Sequence, residues 1–385
     1  MLDCTVLPKI KRNVLLNPGP ATTTDTVKYA QVVPDICPRE KEFGAVMKEL
    51  GESLVKIAHG STDTYTAVLF CGSGTLNIDA CVNSLVPEGK KILILNNGSY
   101  SSRAVDVCRY YHINHIDLKS SYTKPIDADT VAEVLHQDTD HEIAVVYCCH
   151  HETGTGVLNP IREIGKAAHD HGCTMIADTT SSYAMVPINL ETDNLDFIMA
   201  SAQKGIMAMT GLSFVIGNTK MLEESKNYPT RSYYTNLYMQ YSFIRDKGEM
   251  HFTPPVQTIY AALQGIKEYF AEGEQAKWKR HQAIWKELVQ GAEKFGFKPL
   301  INKEFQSHLV LALIYPDDPN FTFETMHDSL YAKGFTIYPG KVSDFHTFRL
   351  CSLGAIYPED IKAFWQAMKE ILSEMKMTIP IQYNT

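Results

Sequence analysis

Lys204 follows a strand-like apolar run, Asp196–Ala200, after the short link Ser201-Ala202-Gln203, and a second apolar run, Leu212–Ile216, comes soon after Gly205 and Gly211. An amine set between two buried strands costs free energy unless it is used. Screened from water, a lysine is a nucleophile that forms a Schiff base with an aldehyde; the ordinary alternative is a solvated loop lysine. Asp178 closes the run "TMIAD", where a carboxylate can pair with a protonated ring nitrogen or simply cap a turn. In "GSGT", Gly72–Thr75, small residues let the backbone approach an anion while hydroxyls and helix-start amides donate to it; the same four residues also suit a plain tight turn. Tyr100 in "NNGSYSSR" is an aromatic after a Gly turn, able to stack on a flat ring or to pack in a core.

These groups need elements to carry them. Apolar runs of strand length alternate with helix-period segments, the pattern of an α/β domain around a buried, largely parallel sheet. "YTAVLFC" leads through "GSGT" into the helix "LNIDACVNSLV", and "KKILILNNGSY" leads into "SSRAVDVCRYY". "EIAVVYCCHHETGTG" precedes "PIREIGKAAHDHG", whose Pro160 and Gly172 suit a helix start and stop. "CTMIADTTSS" and "LDFIMASAQKG" supply two further strands. All four candidate groups therefore fall at carboxyl ends of strands, where open α/β sheets bind ligands. A phosphate cup, a stacking aromatic, an acid and a lysine are together the parts that hold pyridoxal 5'-phosphate. Neither GxGxxG nor GxxxxGK[ST] occurs, so dinucleotide and P-loop readings lack their spacing.

The chain has 385 residues, 44% hydrophobic and 21% charged, enough for a large domain and a smaller one. Its net charge of −8 argues against nucleic acid or an anionic membrane as partner, while leaving room for a local arginine to bind a small anion. Nine cysteines without a CxxC pair or other zinc spacing read as reduced core thiols. "MLDCTVLPKIKRN" has no apolar signal core, and the expected location is the cytoplasm. His150, His151 and Glu152 are adjacent on one loop, which suits packing better than a metal site. Arg231 in "PTRSYY" reads as an anion ligand or a surface ion pair. After "HFTPPVQTIYAALQGIKEYF" comes a long charged helix, "GEQAKWKRHQAIWKELVQGAEKFG", then strands near "HLVLALIY" and "TFRLCSLG". The division expected is an N-terminal segment 1–20 packed on the small domain, a large domain 21–260 and a small C-terminal α+β domain 261–385.

The segments "LLNPGPATTTDTVK", "GSGT", "HHETGTGVLNPI", "ADTTSS", "RSYYTNLYMQY", "HFTPPVQT" and "GFTIYPGKVSDFHTFRLCSLG" follow one another across nearly the whole chain. In this order they resemble the class V pyridoxal-phosphate aminotransferases of fold type I, and within these the 2-aminoethylphosphonate–pyruvate transaminase family. The resemblance implies a large domain with a mostly parallel seven-stranded sheet and a homodimer with shared sites. It implies that Lys204 carries the cofactor, Asp178 keeps its ring nitrogen protonated, and Ser73, Gly74 and Thr75 bind its phosphate. Tyr100 stacks on the ring in this reading, Thr153 contacts the ring oxygen, and Thr253 reaches the cofactor phosphate of the neighbouring subunit. Arg349 binds the substrate carboxylate or phosphonate, with Tyr338 and Lys341 shaping the substrate end. The implied reaction passes an amino group from 2-aminoethylphosphonate, or a close aminophosphonate, to pyruvate, giving phosphonoacetaldehyde and alanine. Alternatives are an alanine- or serine-using class V aminotransferase with glyoxylate or pyruvate, and a non-catalytic protein on the same fold. Two departures lie near the cofactor: "KGIMAMTG" where the family broadly reads "KCLEGVPG", and Gly154 where a threonine is common.

Overall fold

The computed structural model describes residues 7–340 and 345–383; Lys341, expected near the substrate end, lies outside them. The seven strands of its main sheet are β1 (Tyr65–Cys71), β2 (Lys91–Asn96), β3 (His115–Lys119), β4 (Ile143–Cys149), β5 (Thr174–Asp178), β6 (Phe197–Ser201) and β7 (Leu212–Asn218). Their spatial order is β1-β7-β6-β5-β4-β2-β3. Pairs β6–β5, β5–β4, β4–β2 and β2–β3 are parallel, and β7 alone runs antiparallel to both of its neighbours. The mostly parallel seven-stranded sheet is thus as expected.

Alternation along the strands divides two apolar layers. On β2, Leu93 and Leu95 face one core cluster while Ile92 and Ile94 face the other. On β4, Val146 and Cys148 oppose Val145 and Tyr147 in the same way. Because successive side chains point to opposite faces, a strand covered on both sides must be apolar throughout, which is why these runs lack polar breaks. Helix α1 (Lys41–Ile57) covers one face, and α2 (Gly74–Leu85) and α3 (Ser101–Tyr110) cover the other. Helix α4 (Ile161–Asp170) returns the chain from β4 to β5. It begins after Pro160, which stands at the N-cap and has no amide hydrogen to leave unsatisfied.

Helix α5 (Val256–Glu272) packs its Ile259, Ile266 and Tyr269 into the core beneath the large sheet. Helix α6 (Glu274–Phe295) follows directly and packs Ile284, Leu288 and Ala292 into a separate cluster. This second core also holds Val14 and Leu16, a three-stranded antiparallel sheet and α7 (Pro358–Glu374). That sheet has β8 (Val310–Ile314), β9 (Tyr338–Pro339) and β10 (Thr347–Cys351), in the order β8-β10-β9. Among the described residues, no helix is long and apolar enough to cross a membrane.

Candidate active site

The carboxyl ends of β1, β2, β5 and β6 converge on a cleft of about 250 Å³, closed on its far side by Tyr338 and Arg349. Ser73, Gly74 and Thr75 form one wall, where α2 begins after the β1 turn. The first amides of a helix have no intrahelical acceptor, and Ser73 caps α2 without a side-chain bond, so donors here face the cleft. Gly74 lets the helix start approach the β5 loop: a Cβ there would come within 2.8 Å of Thr180 Cγ2.

Lys204 sits three residues beyond β6 and lines the same cleft. Its amine is 5.6 Å from the centre of the Tyr100 ring, and no described residue pairs with it by hydrogen bond or ion pair. The N-terminal "NPGP" segment lies along its stem. A Cβ on Gly19 would approach Lys204 Cε to 3.0 Å, and the Ala21 amide donates to the Gln203 carbonyl at 2.8 Å. Behind the lysine, a Cβ on Gly205 would fall 2.0 Å from the Tyr183 carbonyl oxygen. The loop is therefore pinned on both sides. Of the unusual residues Met207, Ala208, Met209 and Thr210, only Thr210 lines the cleft. Met207 is buried against Ala21 and Ala355, so the departure from the family turn mainly repacks the loop's inner side.

Asp178 ends β5 and is 4% exposed. Its carboxylate accepts from the Thr180 amide at 2.9 Å and from the Tyr147 hydroxyl at 3.3 Å. Burial pushes its pKa above the ordinary carboxylate value, opposed by the hydrogen bonds from Thr180 and Tyr147 and by the charge of Lys204. An acid so placed gains from a cationic partner in the cleft.

Tyr100 is held by a residue that the sequence reading treated only as part of a rejected metal cluster. Glu152 is fully buried and accepts from the Ser101 amide and hydroxyl, each at 2.7 Å, and from the Tyr100 amide at 3.2 Å. A carboxylate at a helix start satisfies orphan amides and opposes the helix dipole. Burial raises its pKa, against the pull of the Ser101 bonds. Gly98 makes room, since a Cβ there would meet the Glu152 carboxyl carbon at 2.3 Å. Arg103, on α3, also went unremarked in the sequence. Its guanidinium lies 4.8 Å from the Tyr100 ring centre and donates to Thr75 Oγ1 at 2.7 Å, placing a cation beside the cup. The signal for it was helical spacing: three positions after Tyr100, it lies one turn along the same face.

Arg349 on β10 is 1% exposed and lines the cleft. It donates to the Pro339 carbonyl from Nε at 3.0 Å and from one terminal nitrogen at 2.7 Å, and to the Thr153 carbonyl from the other at 3.1 Å. These three bonds use three of a guanidinium's five N–H groups and leave two. No described carboxylate forms an ion pair with it. Thr153 lies behind Arg349 rather than among the cleft residues, and its buried hydroxyl has no partner among the described residues.

Other expected groups fall elsewhere. Thr253 is exposed just before α5 and does not line this cleft. Arg231 donates from one terminal nitrogen to the Asn83 and Val86 carbonyls at 2.8 and 2.9 Å, tying down the end of α2, and does not line this cleft. His151 engages Ser181 and Ser307 hydroxyls at 3.0 and 2.8 Å. Among the described residues no cluster of three or more His, Cys, Asp or Glu is arranged for a metal.

The model of the aminotransferase class-V family matches residues 25–305. The chain belongs to that family. It is 34% identical over 362 residues to the 2-aminoethylphosphonate–pyruvate transaminase of Phocaeicola vulgatus, covering 93% of this chain and 98% of the relative. The enzyme of the same name from Bacillus cereus is 34% identical over 90% of this chain and 94% of its own. In fold, the chain resembles ureidoglycine–glyoxylate aminotransferase from Bacillus subtilis, with a TM-score of 0.86 at 18% identity over 97% of this chain and 96% of that one.

The protein is therefore an aminotransferase, and its cofactor is pyridoxal 5'-phosphate. The cleft fits that group chemically. Its wall presents helix-start amides, a flat aromatic and a buried acid, and the Ser201 hydroxyl and Gln203 side-chain oxygen that line it are buried without a partner among the described residues. Polar atoms left unsatisfied in a folded interior call for a ligand to pair with them.

Proposed function

We propose that this aminotransferase moves the amino group of 2-aminoethylphosphonate, or a close aminophosphonate, to pyruvate, yielding phosphonoacetaldehyde and alanine. The observation that carries the reading is the buried Arg349, held by two backbone carbonyls with two N–H groups to spare, in the cleft that also contains Lys204. A planar pair of donors suits a carboxylate or phosphonate oxygen pair. The substrate names of the relatives support the same choice.

Each residue then has a task. Ser73, Gly74 and Thr75 hold the cofactor phosphate, with Arg103 adding charge beside them. Tyr100 stacks on the ring, oriented by Glu152 through its amide. Asp178 keeps a proton on the ring nitrogen, while Thr153, outside the cleft, supports Arg349 through its carbonyl instead of touching the ring. Pyridoxal 5'-phosphate, when bound, supplies the electron sink that acidifies the carbon next to the substrate amine. Lys204 Nζ would be the base that takes the proton from that carbon and the acid that gives it back. Arg349 holds the far anionic end during this transfer, and pyruvate's carboxylate takes the same anchor in the second half.

The active unit in this reading is a cytoplasmic homodimer. Thr253 is exposed and outside its own cleft, and nearby Tyr233 is 70% exposed beside a stacked Tyr234–Phe252 pair. An exposed aromatic cluster of this kind suits burial against a second copy, with Thr253 reaching the neighbouring cofactor phosphate. Sedimentation of the purified protein tests the dimer. The deciding chemical test adds single amines to the holoenzyme and follows the absorbance of the bound cofactor. Conversion by 2-aminoethylphosphonate and recovery with pyruvate, with alanine formed, is expected. Conversion by alanine or serine but not by the aminophosphonate refutes the substrate reading.

A further inference from the structure

One face of α6 grips two parts of the site at once. Lys277, Arg280 and His281 stand three and four residues apart, and so project from the same side. Lys277 is 1% exposed, and its amine donates to the carbonyl of Gly205, the residue next to Lys204. The same amine lies 4.9 Å from the centre of the Tyr269 ring. Arg280 donates to the Gly354 and Ile356 carbonyls at 3.0 and 3.1 Å, and is itself fixed by Glu272 at 2.6 and 2.9 Å. His281 Nδ1 donates to the carbonyl of Ser352, three residues beyond Arg349. The amine-bearing loop and the strand carrying the anion anchor are thus registered against one rigid helix, though they belong to different sheets.

We propose that Lys277 is a positioning residue that sets the placement of Lys204 relative to Arg349, and through that spacing the length of substrate the site turns over. A fully buried lysine is expensive to keep. Burial pushes its pKa down to about 7, with Arg280 reinforcing and Glu272 opposing. An apolar residue of the same length would fill the space without this cost but could not hold the Gly205 carbonyl. The Gly205 loop has little freedom of its own, so a donor at this point fixes where the Lys204 backbone sits. The proposal holds for any amine with a distant anionic group, so its failure is separable from failure of the aminophosphonate reading.

The test compares Lys277→Met with wild type and with Lys279→Met, an exposed change on the same helix. In holoenzyme, Lys277→Met is expected to lower kcat by about tenfold or more with KM changed less than about twofold, as misplacement of a reacting group does. Its preference between donors differing by one methylene narrows. In the cofactor-free protein, reductive methylation of Lys204, read by peptide mass spectrometry, changes rate by about tenfold, the equivalent of one hydrogen bond. Lys279→Met matches wild type in every measurement. Unchanged Lys204 reactivity in a folded Lys277→Met protein overturns the proposal, as does an effect confined to KM. Should that variant give no cooperative melt, Lys277→Gln, a shorter uncharged side chain, is put through the same measurements with the same criteria.

Discussion

Replacing Arg349 by lysine keeps the charge and removes the fork. In the native cleft the guanidinium spends three N–H groups on the Pro339 and Thr153 carbonyls, which leaves one on each terminal nitrogen. An ammonium has three donors radiating from one point, so it cannot hold both carbonyls and still present two to an oxyanion. A charge-assisted hydrogen bond contributes about 1.5–3 kcal/mol. Losing one and weakening the other amounts to about 2–4 kcal/mol, a fall of roughly 30- to 700-fold in kcat/KM for an anionic donor. The assay is the single-turnover conversion of bound cofactor by 2-aminoethylphosphonate and, in parallel, by n-propylamine, which has no anion to anchor. The aminophosphonate rate should fall while the propylamine rate stays within about threefold of wild type. Because a buried carbonyl loses its donor, the variant should also unfold about 1–3 kcal/mol more easily. Equal losses for both amines would refute the reasoning, since Arg349 would then act only by holding β9 and β10 together. So would a nearly unchanged aminophosphonate rate.

Three further outcomes follow from other contacts. Gly205→Ala places a Cβ 2.0 Å from the Tyr183 carbonyl and should cost about 1–3 kcal/mol in urea unfolding of the cofactor-free protein; unchanged stability would mean the loop yields freely. Glu152→Gln turns an acceptor toward Tyr100 into a donor and should weaken cofactor binding about tenfold, since a lost charged hydrogen bond is worth about 1.5–3 kcal/mol. Equilibrium titration of the apoprotein checks it, and native affinity would remove Glu152 from any part in orienting Tyr100. His150 is buried, and its pKa is pushed down to about 4 from an ordinary 6.5. Between these values the unfolded chain binds more protons, so stability should fall as pH drops through the window, by up to about 3 kcal/mol from this residue. His150→Gln should flatten that part of the stability curve, and a variant with native pH dependence would contradict the assignment.

Much of the architecture was legible because burial on both faces of a parallel sheet leaves a mark in one dimension. Runs such as "KILILN" and "AVVYCC" have no polar breaks, and the polar groups that follow them fall at the carboxyl ends where ligands bind. Lys204, Asp178, Tyr100 and "GSGT" could be picked out this way, and the structure brings all four to one cleft. Glu152 could not, because beside His150 and His151 it read as loop packing, and only the fold shows its carboxylate turned onto the start of α3. Arg231 read equally as an anion ligand or a surface ion pair, because a sequence does not show that one of its nitrogens reaches the Asn83 and Val86 carbonyls.

What the sequence determined by itself was the α/β class, the strand ends and the chemical types placed there, since these follow from local periodicity and from residue identity. Only the tertiary structure decided how Arg349 spends its donors, where the altered turn after Lys204 packs, and that Lys277 reaches Gly205 from 72 residues away. Those are contacts between segments distant in the chain, and a hydrogen bond depends on where two groups meet in space, which no local pattern records.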